Sequence, residues 1–241
     1  MEKAGLITVA CLLVTACVRG PLDPVCPAVA ADDLRVSEVR GGQTDLDTWG
    51  QWIELFNPTA MPIEAGGLLI RLRNQTRNGC SKPSASCDCS CNIETDESCQ
   101  GFCQCVVDTD CGTSEFCQGE PGACHDFGEV TLLDSSLVVE PGGYLVAGRF
   151  PNDERPDHVD YGWETQFGSS LYDNALVELW ACDGQGNDVK VHEGTWVDLP
   201  SAGTWSFDGT QWCVDDRDPA YTGDLVHGLP GTPGEANPPC N

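Results

Sequence analysis

Basic residues are scarce in this chain of 241 residues. Lysine and arginine together number 12 against 38 aspartates and glutamates, which gives a formal net charge of −26 at pH 7. A surface so poor in cations repels the phosphates of nucleic acid and the anionic head groups of a bilayer. We therefore expect no nucleic-acid partner, and any attachment to a membrane has to be hydrophobic.

The familiar catalytic motifs are missing as well. The sequence has no G-x-S-x-G nucleophile elbow and no glycine-rich phosphate loop. His192-Glu193 begins like a zinc-protease motif, but Trp196 stands where the second histidine would be. The histidines are solitary: His125, His158, His192 and His227. We expect no catalytic residue, no metal centre and no cofactor, so that the protein is not an enzyme; a hydrolase with an unrecognised site is an alternative.

A short apolar run stands near the N-terminus. Residues 4–14 follow Lys3 and are too few to span a bilayer, which needs ~20 apolar residues, but they suit the core of a signal peptide. The run ends in Val14-Thr15-Ala16-Cys17. This pattern resembles the lipobox of bacterial lipoproteins, in which the peptidase cuts before a cysteine that carries diacylglycerol. An ordinary secretory signal, with Cys17 incidental, is the alternative.

The lipobox resemblance implies where the protein is located. We predict a lipoprotein signal peptide over residues 1–16, lipidation of Cys17 and a tether over residues 17–33. The protein would then be exported and held at a membrane of the bacterial cell envelope by its lipid anchor. Val18 follows the lipidated position, where an aspartate is the familiar inner-membrane retention signal. The outer membrane or the cell surface is therefore favoured.

Cysteine usage agrees with export. Sixteen cysteines are far too many for a reduced cytosolic protein of this size. Cleavage before Cys17 removes Cys11, and lipid on Cys17 leaves an even number for disulfides. These candidates are Cys26, Cys80, Cys87, Cys89, Cys91, Cys99, Cys103, Cys105, Cys111, Cys117, Cys124, Cys182, Cys213 and Cys240. Outside the cysteine-rich segment we expect the pairs Cys182–Cys213 and Cys26–Cys240.

Ten of these cysteines fall within residues 80–124, with few apolar residues between them. A segment this small lacks the material for a core, so disulfides would have to replace it. A thiolate metal cluster is the competing interpretation, prompted by the closely spaced Cys87, Cys89 and Cys91. Zinc ligands usually stand farther apart along the chain. We predict a disulfide-rich insertion, either a contact surface or a tolerated loop.

The residue pattern in the rest of the chain predicts short strands separated by turns. Residues 34–39 (LRVSEV) alternate apolar and polar side chains, the period of a half-buried strand. Residues 52–56 (WIELF) put Ile53 and Leu55 on one face. Further candidate strands are 68–73, 129–133, 144–147, 176–180 and 189–193, with a hairpin loop over 183–188. This pattern predicts an all-β protein with a β-sandwich fold.

Four motifs, in order, resemble the lamin tail domain. They are WIELFNP at 52–58, LVVEPGGYLVA at 137–147, the paired strands of 174–196, and the closing stretch 206–211 with TPGEAN at 232–237. The resemblance implies an immunoglobulin-like β-sandwich formed by residues 34–79 and 125–237, interrupted by the insertion. It supplies no catalytic residues, and it implies an interaction role with a protein partner.

The sequence therefore predicts a non-enzymatic, membrane-anchored surface lipoprotein that acts as a binding or structural module. A calcium- or glycan-binding protein is the alternative. Asp183, Asn187 and Asp188 could offer oxygens to calcium, although a hairpin turn explains them more simply. The tryptophans suggest glycan binding, although most are expected to pack in the core: Trp49, Trp52, Trp163, Trp180, Trp196, Trp205 and Trp212.

Overall fold

All regular structure in the described part of the chain is β. The computed structural model describes residues 26–44, 47, 49–75, 115–118, 123–167, 170–183, 186–217 and 231–240. The strands are β1 (Arg35–Arg40), β2 (Trp52–Phe56), β3 (Ile63–Glu64), β4 (Leu69–Asn74), β5 (Glu115–Gln118), β6 (Ala123–Thr131), β7 (Val138–Val139), β8 (Tyr144–Gly148), β9 (Tyr161–Gly162), β10 (Ala175–Cys182), β11 (Asp188–Trp196), β12 (Thr204–Phe207) and β13 (Trp212–Asp215).

The strands form two main sheets. A six-stranded sheet has the order β13-β12-β1-β2-β8-β9, and a five-stranded sheet has the order β11-β10-β4-β6-β5. A short pair, β3 and β7, makes a further two-stranded sheet. Neighbouring strands are antiparallel except β8 and β9. The expected all-β, immunoglobulin-like sandwich is confirmed.

The core lies between the two sheets. The six-stranded sheet contributes Val39, Ile53 and Leu55, and the five-stranded sheet contributes Ile70 and Leu179, all of them fully buried. These residues follow the period-2 spacing of their strands, because successive side chains on a strand point to opposite faces. Burial of such aliphatic side chains stabilises the fold by about 1.5–3 kcal/mol each.

The predicted strands are found, with shifted ends. Strand β2 has the expected bounds, and β1 lies one residue later than predicted. Strand β6 begins at Ala123, well before the expected residue 129, and pairs with β5, which stands inside the predicted insertion. This hairpin prolongs the five-stranded sheet. The rest of the cysteine-rich segment lies outside the described residues.

Strand β1 departs from simple alternation. Val36 and Val39 both point into the core, although only two residues lie between them. A β-bulge between Val36 and Glu38 accounts for this, because the extra residue shifts the register against β2. Ser37 and Glu38 therefore both bond to groups on the outer face of the six-stranded sheet. Strict alternation would have placed Ser37 and Glu38 on opposite faces.

Two disulfides join distant parts of the described chain. Cys26 is bonded to Cys182, with a Cα–Cα distance of 5.6 Å, and Cys213 is bonded to Cys240, with a distance of 5.9 Å. The expected pairs, Cys182–Cys213 and Cys26–Cys240, are wrong. The reason lies in the tertiary structure: the Cys182 amide donates to Pro27, which brings Cys26 to the end of β10.

These disulfides give a stability prediction. The double variant Cys26→Ser/Cys182→Ser should lose about 5 kcal/mol of unfolding free energy, because that bond closes a long loop of the unfolded chain. The matched double variant Cys213→Ser/Cys240→Ser, which opens a shorter loop, should lose about 3.5 kcal/mol. Urea denaturation measures both losses. Peptide mapping without reduction should recover the two observed pairs, and a Cys182–Cys213 peptide would contradict the structure.

Candidate functional site

Two carboxylates are buried on the outer face of the six-stranded sheet. Glu38 of β1 and Glu54 of β2 are register partners on adjacent strands, and each is 0% exposed. Glu54 is directed outward because its neighbours Ile53 and Leu55 fill the core. Carboxylates are almost never fully buried unless they are paired or hydrogen-bonded. Something must therefore cover this face and supply hydrogen bonds.

The cover is the C-terminal segment 231–240, here named the strap. The Thr232 amide donates to Glu38 Oε2 at 3.2 Å, and its hydroxyl donates to the same oxygen at 2.9 Å. The Gly234 amide donates to Glu54 Oε2 at 2.7 Å. The Asn237 side-chain amide donates to the Ser37 carbonyl at 2.9 Å. Residues 232–237 of the strap are thus tied to the two carboxylates and to the bulge.

Side chains of the sheet complete the hydrogen bonding of the pair. Glu38 accepts from the Trp52 indole at 3.0 Å and from the Ser206 hydroxyl at 3.3 Å. Glu54 Oε1 lies 2.6 Å from the Ser37 hydroxyl. These donors come from β1, β2 and β12, so the arrangement depends on the whole sheet.

Burial shifts the pKa of both carboxyls in the same direction. Desolvation, and then the neighbouring Glu38 charge, raises the pKa of Glu54 from 4.5 to about 8, against the hydrogen bonds from Ser37 and Gly234. Desolvation also raises the pKa of Glu38, against the hydrogen bonds from Thr232, Trp52 and Ser206. At neutral pH the pair therefore keeps a proton, as two carboxyls that share a buried site generally do.

Gly231 lets the strap approach the sheet. Its φ is +69°, a left-handed conformation that favours glycine. A Cβ at this position would lie 2.5 Å from Glu38 Oε1 and 2.6 Å from Thr204 Cγ2. Gly234 also has a positive φ, of 81°, but a Cβ there would meet nothing within 4 Å.

A groove of about 390 Å³ lies beside the strap. This aromatic groove is lined by Phe56, Pro58, Tyr144, Phe207, Arg35 and Asn237. The rings of Phe56 and Tyr144 stand 5.0 Å apart at an interplanar angle of 31°. These side chains are half-buried except Pro58, which is exposed. Concave, mainly apolar sites with a few polar groups are typical of binding pockets.

Asp208 connects the groove to the end of the strap. It closes the turn between β12 and β13 by accepting from the Gln211 amide at 2.9 Å, and its Oδ2 accepts from the Cys240 amide at 3.0 Å. The hydrogen bond from Cys240, and then those from Thr210 and Gln211, hold the pKa of Asp208 far below its usual range. Asp208 is therefore ionised at the rim of the groove.

Two of the four histidines are described with their side chains, and both are built into the fold. His158 Nε2 lies 3.0 Å from the Trp49 carbonyl, and burial lowers the His158 pKa. His192 lies beside Asp32, with its pKa lowered by burial. Both histidines are therefore largely neutral at pH 7, and neither lines the aromatic groove.

The residues proposed for calcium close a hairpin turn. Asp183 Oδ1 accepts from the Asn187 amide at 2.9 Å, and its Oδ2 accepts from the Asn187 side chain at 2.8 Å. Within the described ranges, no group of three or more His, Cys, Asp or Glu residues could hold a metal ion. Asp183 is thus engaged in the turn itself.

The tryptophans are spread over the sandwich. Trp163 and Trp196 are buried in the core, and Trp52 packs on the outer face with Val146. Trp180 lies under the Arg71 guanidinium, 5.5 Å from the ring centroid. No tryptophan lines the aromatic groove. The ring surface suited to a ligand is formed instead by phenylalanine and tyrosine, which the sequence reading did not single out.

Other predicted site residues fall outside the described part of the chain. These include Cys17, His227 and most cysteines of the insertion. The backbones of Cys117 and Cys124 are register partners in the β5–β6 hairpin. The carboxylate pair was not among the predicted sites, although Glu54 lies within the WIELFNP motif and Gly234 within TPGEAN. An acidic residue inside a strand motif was the available signal.

Neither a family model nor a curated protein matches this chain. The resemblance to the lamin tail domain therefore depends on the sequence motifs. In the residues that the structure describes, no helix has the length and apolar character needed to cross a membrane.

A pair of glycine variants tests how the strap is held. Gly234→Ala should cost about 1–2 kcal/mol of unfolding free energy, the cost of a left-handed alanine. Gly231→Ala should cost about 1–3 kcal/mol more, because its methyl group would also collide with Glu38 and Thr204. Chemical denaturation of both variants measures the difference. Equal losses of unfolding free energy in the two variants would contradict the close approach of Gly231 to Glu38.

Proposed function

We propose that this protein is a non-enzymatic lipoprotein of the bacterial cell surface that binds a protein partner through its aromatic groove. The lipid on Cys17 anchors it, and the lamin-tail-like sandwich presents the groove. The observation that carries the proposal is the groove itself: Phe56, Tyr144 and Phe207 leave a concave, mainly apolar site open beside the strap. Aromatic residues are enriched in protein–protein interfaces relative to the rest of the protein surface.

The anchor is supported by the sequence and by the disulfides. Val14-Thr15-Ala16-Cys17 carries the lipobox pattern at the end of a signal-like apolar run. The bonds Cys26–Cys182 and Cys213–Cys240 are of the kind that persists in oxidising compartments. Because the net charge of −26 opposes electrostatic membrane binding, lipid is the attachment that suits this chain.

The non-enzymatic assignment is supported by the state of the buried carboxyls. A raised pKa often marks a catalytic acid, and Glu54 has one. Its two oxygens, however, are engaged by Ser37 and by the strap residue Gly234, and its side chain is fully buried. A substrate could reach Glu54 only after the strap had moved.

Glycan binding is a second candidate function, because hydrogen-bond donors on Tyr144 and Arg35 lie beside the aromatic rings of the groove. Burial raises the Tyr144 pKa, so its hydroxyl keeps its proton, and Arg35 is 42% exposed at the side chain. A sugar ring could pack on Phe56 and Tyr144 while its hydroxyls accept from these donors.

Lipidation is tested with two cysteine variants expressed in a bacterial host that processes lipoproteins. Cys17→Ala should lose all palmitate labelling and leave the membrane fraction, because the acceptor sulfur is gone. Cys11→Ala is the matched control, since position 11 would be removed with the signal peptide, and it should be labelled like the unaltered protein. Membrane retention of an unlabelled Cys17→Ala protein would contradict the anchor.

The groove is tested by photocrosslinking on intact cells. With p-benzoylphenylalanine in place of Tyr144, we expect a discrete crosslinked protein that disappears when Phe56→Ala is added. The control position is Val197, which is 67% exposed. It lies away from the groove: Leu199, two residues later, packs beside Gly41, which follows the end of β1 opposite the groove. A product containing carbohydrate and no second polypeptide would favour glycan binding. Identical products from both positions would contradict a groove-specific partner.

A further inference from the structure

We propose that the strap, residues 231–240, is a proton-dependent clasp. While the Glu38–Glu54 pair holds one proton, the strap stays closed over the outer face of the six-stranded sheet. Loss of that proton leaves two negative charges buried side by side, which releases the strap and opens the wall of the aromatic groove. This inference concerns the closure of the fold and stands whether or not the proposed partner is correct.

The attachment of the strap converges on the carboxyl pair. Thr232 contributes its amide and its hydroxyl to Glu38, and Gly234 contributes its amide to Glu54. The Thr232 hydroxyl also lies 2.7 Å from Asn237 Oδ1, and its one proton can be donated to Glu38 or to Asn237 but not to both. Separation of the carboxyl pair from the strap would thus remove most of the contacts that hold residues 232–234.

The geometry offers a place for the proton on Glu54. Its Oε1 lies 2.6 Å from Ser37 Oγ, a separation typical of a short O–H···O hydrogen bond. A protonated Glu54 can donate through this contact, while the Ser37 hydroxyl turns to the Glu54 carbonyl at 3.4 Å. Glu38, in contrast, accepts on both oxygens from Trp52, Ser206 and Thr232. Glu54 therefore has a place for the proton in its contact with Ser37.

No cation neutralises Glu54 among its described polar contacts and charged neighbours. The charges that act on it are those of Glu38 on β1 and, more weakly, Asp160 in the loop after β8, and both are acidic. On β8 its neighbour Tyr144 is uncharged at neutral pH. The acid of the strap itself, Glu235, is exposed. Arg40, on the same face, is engaged with Asp47 at 2.8 Å.

Opening of the strap would change the groove directly. Ala236 and Asn237 belong both to the strap and to the lining of the groove. Asn237 donates to the Phe207 carbonyl at 3.2 Å, so the strap also steadies an aromatic residue of the groove. Because Cys240 is bonded to Cys213, a released strap would lift as a tethered loop and could close again.

The direction of the pH effect follows from linkage. The pKa of Glu54 is raised in the closed state, to about 8 from 4.5, so closure takes up a proton. The contribution of Glu54 to closure is therefore complete below pH 4.5, is lost as the pH rises towards 8, and changes little above that value. Over this window the equilibrium for closure should fall about tenfold per pH unit.

Hydrogen exchange on the full-length oxidised protein tests the clasp. Protection factors of the Thr232 and Gly234 amides, corrected for intrinsic rates, should fall about tenfold per unit between pH 5 and 8. The protection factor of the Leu72 amide, in strand β4 of the core, should not decrease with pH in this way. In Glu54→Gln, whose neutral amide can preserve the contacts to Ser37 and Gly234, the fall of strap protection with pH should become shallower, because only Glu38 of the pair is left to titrate.

The matched control is Glu235→Gln, which removes a charge from the exposed side of the strap and should leave the pH dependence intact. Strap protection that is independent of pH in the unaltered protein would overturn the proposal.

If Glu54→Gln does not fold, carbon-detected NMR of the carboxyl groups in the unaltered protein tests the proposal instead. A Glu54 midpoint near 8 supports the clasp, and both carboxyls titrating near 4.5 overturn it.

Discussion

The burial of two acidic side chains constrains much of this structure. Glu38 and Glu54 are fully enclosed between the six-stranded sheet and the strap, and a buried carboxyl is tolerated only with hydrogen bonds or a proton. The bulge in β1 places Ser37 beside Glu54, and glycine at position 231 lets the strap approach Glu38. Each of these features is explained by the same electrostatic requirement.

The enclosed pair also shapes the surface that we propose as the binding site. The strap forms one side of the aromatic groove through Asn237, and the β12–β13 turn forms another through Asp208 and Gly209. Asp208 links this turn to the strap at Cys240, and the Cys213–Cys240 disulfide fixes the same junction covalently. The groove is therefore a product of closure, and its shape depends on the proton that keeps the strap in place.

An anchored binding module is a coherent interpretation of these features. Lipid on Cys17 would supply membrane attachment that an acidic chain cannot obtain from charge. The Cys26–Cys182 disulfide ties the beginning of the described chain to the end of β10. In the proposed arrangement the sandwich would be the support, and recognition would fall to the groove between its strands and its C-terminal segment.

The all-β class and most strand positions could be predicted from the residues alone, because hydrophobic alternation is a local property: residues 52–56 form β2 as expected. It did not determine the disulfide pairs or the burial of Glu54, since both depend on segments far apart in the chain. Cys26 meets Cys182 across 156 residues, and Gly234 reaches Glu54 across 180. Which polar faces are covered became visible in the folded chain alone, because an outward-facing carboxyl has the same local sequence pattern whether water or the strap lies above it.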